Sequence, residues 1–560
     1  MGKKILIAVA WPYVNGDLHI GHLAGYLLPA DIFARFHRLR GNEVLMVSGS
    51  DCYGTPITVE ADKRSISPEE IVALYHPHHL KLFEQYGISF DLFTKTATKN
   101  HNIVVQDMLV AMAKNGYVYK DTTKQYFGEK EQKFLPDRYV EGECPYCDYI
   151  GARGDQCDGC GRVLESGQLK NPKSKLSGSP VVLKNTDHLF VNWPKLEQFL
   201  KEYTTKTGKN WKYWIHKETQ GWLTKGLKPR AITRDIQWGV SIPNDRLPKE
   251  IQLDEPESKR IYVWFDAVIG YLSASIEWAK GSEAWKKYWY PNSSDSVSHY
   301  YFMGKDNLVF HTLFWPGQLY GYDTSIHLPD VVSVNQFLNF GGEKFSKSRN
   351  VVIDSAEIGK KYGVDSVRFY LAYIMPEHAD SSFSWEDYFR FHNTVLIGTF
   401  ANYINRVLTL AKGVNIGTAD EETIRSIDAF FSSVALHIEK CEFKLYAQRI
   451  IEFSQEGNKY IDTTSPWKLE KTSTHYAQVV TNGIARVIAL TIAISPLIPH
   501  SAETVVQMLG ISIFTWENKT EPTLSKLLKQ VELKKITPLY SKIENVNNIS
   551  PAKSDPSTNA

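Results

Sequence analysis

The sequence predicts an α/β protein with a doubly wound parallel sheet, an inserted segment and an α-helical bundle after it. Three observations support this: a strand–turn–helix–strand pattern near the start, a cysteine-rich stretch that interrupts it, and long amphipathic helices after about residue 386. The chain has 560 residues, which is too long for one hydrophobic core. We therefore expect several domains.

The first strand is predicted by the apolar run KKILIAVA, which is typical of strands buried in a parallel sheet. The turn residues PYVNGD follow it. The next stretch predicts a helix with Leu23, Leu27, Ala30 and Ala34 on one face, kinked or split at Pro29. NEVLMVSGSD predicts a second strand. This order is the βαβ unit of a Rossmann-type nucleotide-binding domain.

The composition changes near Gly116, which indicates an insertion. Residues 69–116 look helical, 117–240 are rich in glycine, cysteine and lysine, and the nucleotide-type pattern resumes with IYVWFDAVIGYLSAS. We expect the following divisions: 1–116, first half of the Rossmann-type domain; 117–240, insertion; 241–325, second half; 326–385, a connecting region; 386–540, helical bundle; 541–560, a disordered tail.

The hydrophobic pattern and the net charge of the chain exclude some classes of protein. No stretch approaches ~20 uninterrupted apolar residues, so we expect no transmembrane helix. The N-terminal apolar run ends at Trp11-Pro12 without a cleavage site, so we expect no signal peptide and a cytoplasmic protein with no membrane partner. The net charge is only +2, so a polyanion must bind to local basic patches.

Four of the six cysteines form two C-x-x-C pairs. They are Cys144, Cys147, Cys157 and Cys160, and this spacing is typical of one tetrahedral Zn²⁺ site. Two disulfides are the alternative, which a cytosolic protein disfavours. Because all four ligands are thiolates, the zinc ion is expected to be structural.

Two histidines, His19 and His22, follow the first strand at the start of the predicted helix, with Gly21 between them. In a doubly wound sheet this loop lies where ligands bind, and imidazole groups there can donate hydrogen bonds to phosphate oxygens. Taken alone, the pair is more often structural, or a stray pair of metal ligands. A second motif is needed to decide between these interpretations.

That motif is GGEKFSKSRNVVI, which places Lys344, Ser346, Lys347 and Ser348 in a glycine-led loop. Lysine as a point charge suits a polyphosphate, although an exposed basic loop alone is common. Together, HIGH at 19–22 and KFSKS at 344–348 resemble the HIGH and KMSKS motifs of the class I aminoacyl-tRNA synthetases. The resemblance implies that these histidines and lysines, with Gly21, Ser346 and Ser348, bind ATP with Mg²⁺. It also implies catalytic roles for His19, His22, Lys344 and Lys347.

Nearly the whole chain is similar to the methionyl-tRNA synthetase family. The matching segments are AVAWPYVNGDLHIGH, SGSDCYGTP, VWFDAVIGY and GKDNLVFH. The resemblance implies that Asp51 holds the substrate ammonium and that the cysteines form the connective-peptide zinc knuckle of the single-zinc type. It also implies a methionine pocket formed by Ala10, Trp11, Tyr13, Asp51, Val263, Trp264, Ala267, Tyr271, Asn307 and His311. A thioether suits such an aromatic slot.

The sequence departs from the family pattern at a few positions. The family usually has Glu-His where this chain has Cys52-Tyr53, proline at Val268 and Ser241, and an aliphatic residue at Asn307. The departures at Cys52-Tyr53, Val268 and Asn307 touch the methionine pocket or its edge. We expect them to alter its fine shape and not the reaction.

Two further regions have residues suited to RNA. The stretch 206–235 has eight Lys/Arg and two acids, interleaved with aromatic residues, where the family passes the tRNA acceptor arm. In the bundle, Asn402 and Arg406 share a helix face, and Trp467 follows Ser465-Pro466. The resemblance implies that these three recognise the anticodon, by hydrogen bonds and stacking on unstacked bases.

The resemblance implies a ligase that forms an aminoacyl-adenylate from ATP and L-methionine and then charges tRNA(Met), with 326–385 as the stem-contact region. The alternatives are a class I synthetase for leucine, isoleucine, valine or cysteine, or a zinc protein that binds RNA without catalysis. The segment 117–240 has no room for a large editing domain, and pocket zinc ligands of the cysteine type are not evident. The chain stops soon after the bundle, so we expect a monomer.

Overall fold

The computed structural model describes residues 2–136, 139–154, 157, 159–160, 162, 164, 167–293, 296–340, 343–344, 353–512, 515–516 and 520–544. Its centre is a five-stranded parallel sheet in the order β14-β13-β1-β2-β3. The predicted fold class is confirmed. The elements of its first half are β1 (Lys4–Val9), α1 (Ile20–His22), α2 (Leu28–Leu39), β2 (Glu43–Ser50), α3 (Thr55–Arg64), α4 (Pro68–Tyr86), β3 (Leu92–Lys95) and α5 (Lys99–Lys114).

The helix after β1 is divided just before Pro29, as predicted. A π-helical turn, Leu23–Leu27, separates α1 from α2, and Pro29 lies in the first turn of α2, where its fixed φ suits the helix. The helical prediction for 69–116 was wrong at one place, because the edge strand β3 lies between α4 and α5. Four residues are too few to show a strand periodicity.

The insertion is a separate β-rich layer. The long antiparallel pair β4 and β9 forms its stalk, and the small sheet β7-β6-β8 lies at its tip. Its elements are β4 (Val118–Gly128), β5 (Lys133–Phe134), β6 (Val140–Glu143), β7 (Ile150–Arg153), β8 (Lys170–Ser174), β9 (Val181–Val191), α6 (Glu197–Thr207), α7 (Tyr213–Thr224) and β10 (Arg230–Ala231).

The chain then returns to complete the parallel sheet. Strand β1 lies between β2 and β13, so the chain order reverses beside it, which creates a crevice at the carboxyl ends of β1 and β13. The elements are β11 (Thr233–Arg234), β12 (Arg260–Ile261), α8 (Val263–Asp266), α9 (Gly270–Trp278), α10 (Lys286–Trp289), β13 (Val297–Gly304), α11 (Trp315–Tyr322), β14 (Val331–Asn335), β15 (Leu338–Phe340), β16 (Glu343–Lys344), α12 (Ser355–Tyr362), α13 (Val364–Tyr373) and β17 (Ser381–Phe383).

The last part is a helical bundle. Helix α18 is long and apolar enough to cross a membrane by length and composition, but 83% of its apolar window is buried inside the protein. It packs against α15, α16, α17, α19 and α20 as a core helix. The bundle contains α14 (Trp385–Arg390), a π-helical segment Phe391–Ala401, α15 (Asn402–Leu410), α16 (Glu421–Glu439), α17 (Phe443–Thr464), α18 (Thr474–Ile494), α19 (Pro499–Leu509) and α20 (Thr520–Leu528).

Candidate active site, zinc knuckle and bundle surface

A cleft of about 350 Å³ opens at the carboxyl ends of β1 and β13. Thirteen residues that the sequence predicted for ATP or methionine line it together: Ala10, Trp11, Tyr13, His19, Gly21, His22, Asp51, Val263, Trp264, Ala267, Tyr271, Asn307 and His311. Sequence reasoning missed Pro12, Gly25, Tyr26, Gly304, Asp306, Phe310, Gln336, Phe337 and Leu338. Several of these adjoin predicted residues or follow a strand end, which is the signal that points to them.

The two histidines cap their own helix. The amide of Gly21 donates to His19 Nδ1 at 3.1 Å, and the amide of His19 donates to His22 Nδ1 at 3.2 Å. The ring centroids lie 4.0 Å apart. Because each Nδ1 accepts a hydrogen bond, each neutral ring has its proton on Nε2. Both rings are therefore set up as hydrogen-bond donors.

The aromatic wall of the cleft is held by close packing. Trp11 meets the edge of Tyr271, with ring centroids 6.5 Å apart. A Cβ atom on Gly49 or Gly270 would lie 2.1 or 2.6 Å from the Trp11 ring, so only glycine leaves it room. Trp264, at the rim, is 49% exposed.

The far end of the cleft has a hydrogen-bonded histidine. The Tyr271 hydroxyl lies 2.7 Å from His311 Nε2, and His311 Nδ1 lies 2.8 Å from the carbonyl oxygen of Asn307. The carbonyl requires a proton on Nδ1, so Nε2 accepts from Tyr271. Burial lowers the pKa of His311 to about 4, so the ring is neutral at pH 7.

Asp51 supplies the acidic group of the cleft. Its side chain is buried, and burial followed by the neighbouring Asp266 raises its pKa well above the usual range. A positive charge in the cleft would favour its ionised form. The chemistry of this position therefore suits an ammonium group.

The departures from the family pattern fall into two places. Val268 and Asn307 line the cleft. Cys52 and Tyr53 are buried behind Asp51, where the Tyr53 hydroxyl donates to Asn102 and its ring packs against Trp238. Cys52 and Tyr53 are therefore outside the set of residues that line the cleft.

The second motif lies beside the first. Strand β16, which ends at Lys344, pairs with β15, whose residue Leu338 lines the cleft. A β-bridge joins His19 to Asp354, just after the loop. Ser346, Lys347 and Ser348 lie outside the described residues.

The four clustered cysteines converge at the tip of the insertion. Their Sγ atoms all lie within 4.8 Å of one another, with Cys144–Cys160 at 3.9 Å and Cys147–Cys157 at 3.6 Å. Zn–S bonds of about 2.3 Å in a tetrahedron place sulfur atoms about 3.8 Å apart. Backbone amides of Tyr146 and Cys160 donate to these sulfurs, as suits thiolates. The residues fit a zinc ion.

The basic stretch after α6 has one exposed aromatic side chain and several packed ones. Tyr213 is 81% exposed. Trp211 and Trp214 instead donate from Nε1 to the carbonyl oxygens of Asp330 and Glu377, each at 3.2 Å. These two tryptophans therefore anchor the insertion against the rest of the protein.

The three residues predicted to recognise the anticodon lie on one surface of the bundle. Asn402 and Arg406 both donate to the Asn458 side chain, at 3.3 and 3.2 Å, and Arg406 also pairs with Asp462. The Arg406 guanidinium lies 5.9 Å from the ring centre of Trp467, which is 55% exposed. This surface offers a flat aromatic face beside oriented polar groups.

The chain is similar to known proteins over most of its length. Residues 5–408 match the family described as tRNA synthetases class I (M), and residues 410–551 match the anticodon binding domain of methionyl tRNA ligase. Proteins named methionine–tRNA ligase from Roseiflexus sp. (strain RS-1) and Dehalococcoides mccartyi (strain CBDB1) are 43% and 41% identical. The first alignment covers 91% of this chain and 88% of the relative, and the second covers 97% and 98%.

A solved structure has the same fold. Mycobacterium tuberculosis methionyl-tRNA synthetase in complex with methionyl-adenylate superposes with a TM-score of 0.75 at 23% identity, covering 96% of this chain and 99% of that one.

Proposed function

The chain belongs to the methionyl-tRNA synthetase family of class I aminoacyl-tRNA synthetases, and from this premise we propose how its cleft and bundle act. It is a methionine–tRNA ligase. It activates L-methionine with ATP to methionyl-adenylate and pyrophosphate, then transfers methionine to the 3′ end of tRNA(Met) for initiation and elongation. The relatives at 43% identity exclude the leucine, isoleucine, valine and cysteine enzymes and a non-catalytic RNA-binding protein.

The adenylation step needs positioning and charge stabilisation more than covalent work by the protein. The methionine carboxylate attacks the α-phosphate of ATP in line, and pyrophosphate leaves. His19 and His22 donate from Nε2 to phosphate oxygens as negative charge builds on them. Lys344 and Lys347 hold the β- and γ-phosphates, with Gly21, Ser346 and Ser348 in the same site. Mg²⁺ bound with ATP supplies further neutralisation of the phosphate charge.

The amino acid occupies the cleft between Asp51 and His311. Asp51 binds the ammonium group of methionine. Ala10, Val263, Ala267 and Asn307 line the slot with Trp11, Tyr13, Trp264 and Tyr271, where aromatic faces suit a polarisable thioether. His311 and Tyr271 form a neutral end wall. The slot therefore selects the amino acid by the shape of its side chain, because the end wall that meets this side chain is neutral.

The other regions serve the tRNA. The surface formed by Asn402, Arg406 and Trp467 reads the anticodon, while the stretch 206–235 and the region 326–385 lie along the acceptor arm. Cys144, Cys147, Cys157 and Cys160 hold one Zn²⁺, which stabilises the tip of the insertion. The protein acts as a monomer in the cytoplasm, with the divisions given above as its domains apart from one boundary. The predicted start of the disordered tail at residue 541 is wrong, because Ser541 and Ile543 are hydrogen-bonded to His392 and Asn393 and residues 541–544 therefore belong with the bundle.

One observation carries this assignment: thirteen residues from distant segments meet in a single cleft. Pyrophosphate exchange measured with each amino acid in turn tests it. Methionine alone is expected to drive exchange. Exchange driven by another amino acid, or by none, would contradict the assignment.

A further inference from the structure

Asp266 is a buried acid that the proposed mechanism does not use. It ends helix α8, whose residues Val263 and Trp264 face the cleft, but Asp266 is not among the lining residues. Its exposed fraction is 0%. Within the part of the chain that the structure describes, no side chain donates a hydrogen bond to either carboxyl oxygen, and the only donors near them are the backbone amides of Asp266 and Ala267. A buried carboxylate without a cationic partner is strongly unfavourable, so the protonation of this group needs an explanation.

A histidine nitrogen lies close to the Asp266 carboxyl group. His101 Nε2 lies 3.5 Å from Asp266 Oδ2, and both side chains are buried. On its other side, His101 Nδ1 lies 2.9 Å from the hydroxyl oxygen of Ser273. That hydroxyl donates its single proton to the carbonyl oxygen of Gly270 at 3.1 Å.

This chain of bonds fixes the direction of each proton. Because the Ser273 proton is committed to Gly270, the hydroxyl oxygen accepts from His101, and the ring has its proton on Nδ1. His101 Nε2 therefore presents a lone pair to Asp266. A carboxylate would repel that lone pair, whereas a protonated carboxyl group can donate to it.

We propose that Asp266 is a positioning residue, a neutral acid whose proton is held toward His101 Nε2. Asp51 is then the ionised member of this pair of carboxyl groups, and Asp266 is the neutral one. The same contact orients the His101 ring, whose centroid lies 6.2 Å from that of Trp11 in the cleft wall. This inference rests on the proposed role of Asp51 and Trp11 in methionine binding, and it deepens that role.

The groups that face the pair support a neutral state. Burial raises the pKa of Asp266 well above its usual range and lowers the pKa of His101 to about 3. Asp51, Tyr53 and Glu277 face the pair from neighbouring elements, and each is acidic or neutral. An ionised Asp266 would raise the pKa of Asp51, so the two buried carboxyl groups disfavour being ionised together. An ammonium group bound at Asp51 places the single negative charge there and leaves Asp266 as the protonated member of the pair.

The test compares two variants of Asp266 in the full-length protein. Asp266→Asn keeps a donor for His101 Nε2 but cannot ionise, and Asp266→Leu has similar size without a donor. Methionine-dependent pyrophosphate exchange is measured against pH for both, with thermal melting to verify folding. Asp51→Asn is the reference variant, and a large loss of kcat/KM for methionine is expected there.

For Asp266→Asn, the midpoint of the pH profile of kcat/KM for methionine is expected within about 0.2 units of the parent, because no charge is removed. For Asp266→Leu, the KM for methionine is expected to rise about tenfold with a smaller change in kcat. A midpoint shift of about one unit to lower pH in Asp266→Asn would show that an anion beside Asp51 had been removed, which overturns the proposal.

An unchanged KM in a folded Asp266→Leu variant would also overturn the positioning role. If this variant does not fold, the Asn variant still decides the charge state. Failure of the parent protein to use methionine at all would contradict the proposed function instead, so the two failures are distinguishable.

Discussion

Arg368 and Asp31 form a fully buried ion pair, with Arg368 Nη2 2.7 Å from Asp31 Oδ2. Asp31 lies on α2, the continuation of the helix that begins with the histidine pair. The same guanidinium donates to the carbonyl oxygens of Tyr86, Pro496 and Leu497. One side chain thus joins the Rossmann-type domain to the turn after α18 in the bundle.

We expect Arg368→Met to lower the free energy of unfolding by about 3–5 kcal/mol, because it removes one of the two arginines that pair with buried Asp31 and leaves three carbonyl groups without this donor, while Arg35 still pairs with Asp31. Urea denaturation measures the change. Arg390→Gln is the matched control, since Arg390 pairs with Asp387 on the surface and its loss is expected to cost under about 1 kcal/mol. Equal losses in the two variants would contradict the importance of the buried pair.

Loss of either donor in the histidine pair should slow adenylate formation. His19→Asn and His22→Asn are each expected to reduce methionine-dependent pyrophosphate exchange about 10²–10³-fold, the usual effect of removing one transition-state donor. Zinc content, measured by metal analysis, is expected to stay at the parent value. Loss of zinc with preserved exchange would refute the assignment and would favour metal ligation by the histidines.

Removal of zinc should act locally. Cys147→Ser with Cys160→Ser is expected to abolish zinc binding and to expose the amides of β6, β7 and β8 to rapid hydrogen exchange, because this small sheet packs around the cysteines. Pyrophosphate exchange is expected to persist, since no described residue of the knuckle lines the cleft. Rapid exchange in the central parallel sheet would show a wider structural role.

Trp467→Ala separates anticodon reading from amino-acid activation. The kcat/KM for charging tRNA(Met) is expected to fall about 10–100-fold, as loss of one base-stacking contact does, while pyrophosphate exchange stays at the parent rate. Leu436→Ala is a suitable control, because Leu436 is another exposed apolar side chain of the bundle. If Trp467→Ala abolished both activities, its assignment to the anticodon would be wrong.

Four buried histidines predict the acid sensitivity of the fold. Burial lowers the pKa of His37 and His101 to about 3 and that of His311 to about 4, and that of His299 lies well below the usual 6.5. Below pH 6.5 the unfolded chain binds protons that the folded protein does not. Stability is therefore full above this pH and falls toward pH 4, by about 1.4 kcal/mol per pH unit for each histidine. Urea titrations at several pH values measure the slope, and a flat profile would contradict it.

Sequence reasoning located the cleft because its chemistry follows strand ends. Trp11 and Asp51 come just after β1 and β2, and parallel strands bring such positions to one edge of the sheet. Phe337 and Leu338 were missed although they follow β14, since apolar residues after a strand also occur in ordinary cores. Asp266 could not be predicted from the sequence for another reason. Its environment depends on α5, which packs against it from a distant part of the chain.

Strand β3 shows a second limit. Its four residues are a strand because they pair with β2, and this pairing is a tertiary effect that local periodicity does not encode. Arg368 likewise hydrogen-bonds to four partners in separate segments because of how the protein packs, and no sequence motif predicts these contacts.

The slot that Gly49 and Gly270 leave for Trp11 makes the size of the cleft depend on one side chain. A smaller residue at position 11 would open a cavity bordered by two glycines, which have no side chains to fill it. A library that aims to charge tRNA with bulkier methionine analogues should therefore vary Trp11 first and keep both glycines. Alanine at either glycine would press on the ring and narrow the range of amino acids that the enzyme accepts.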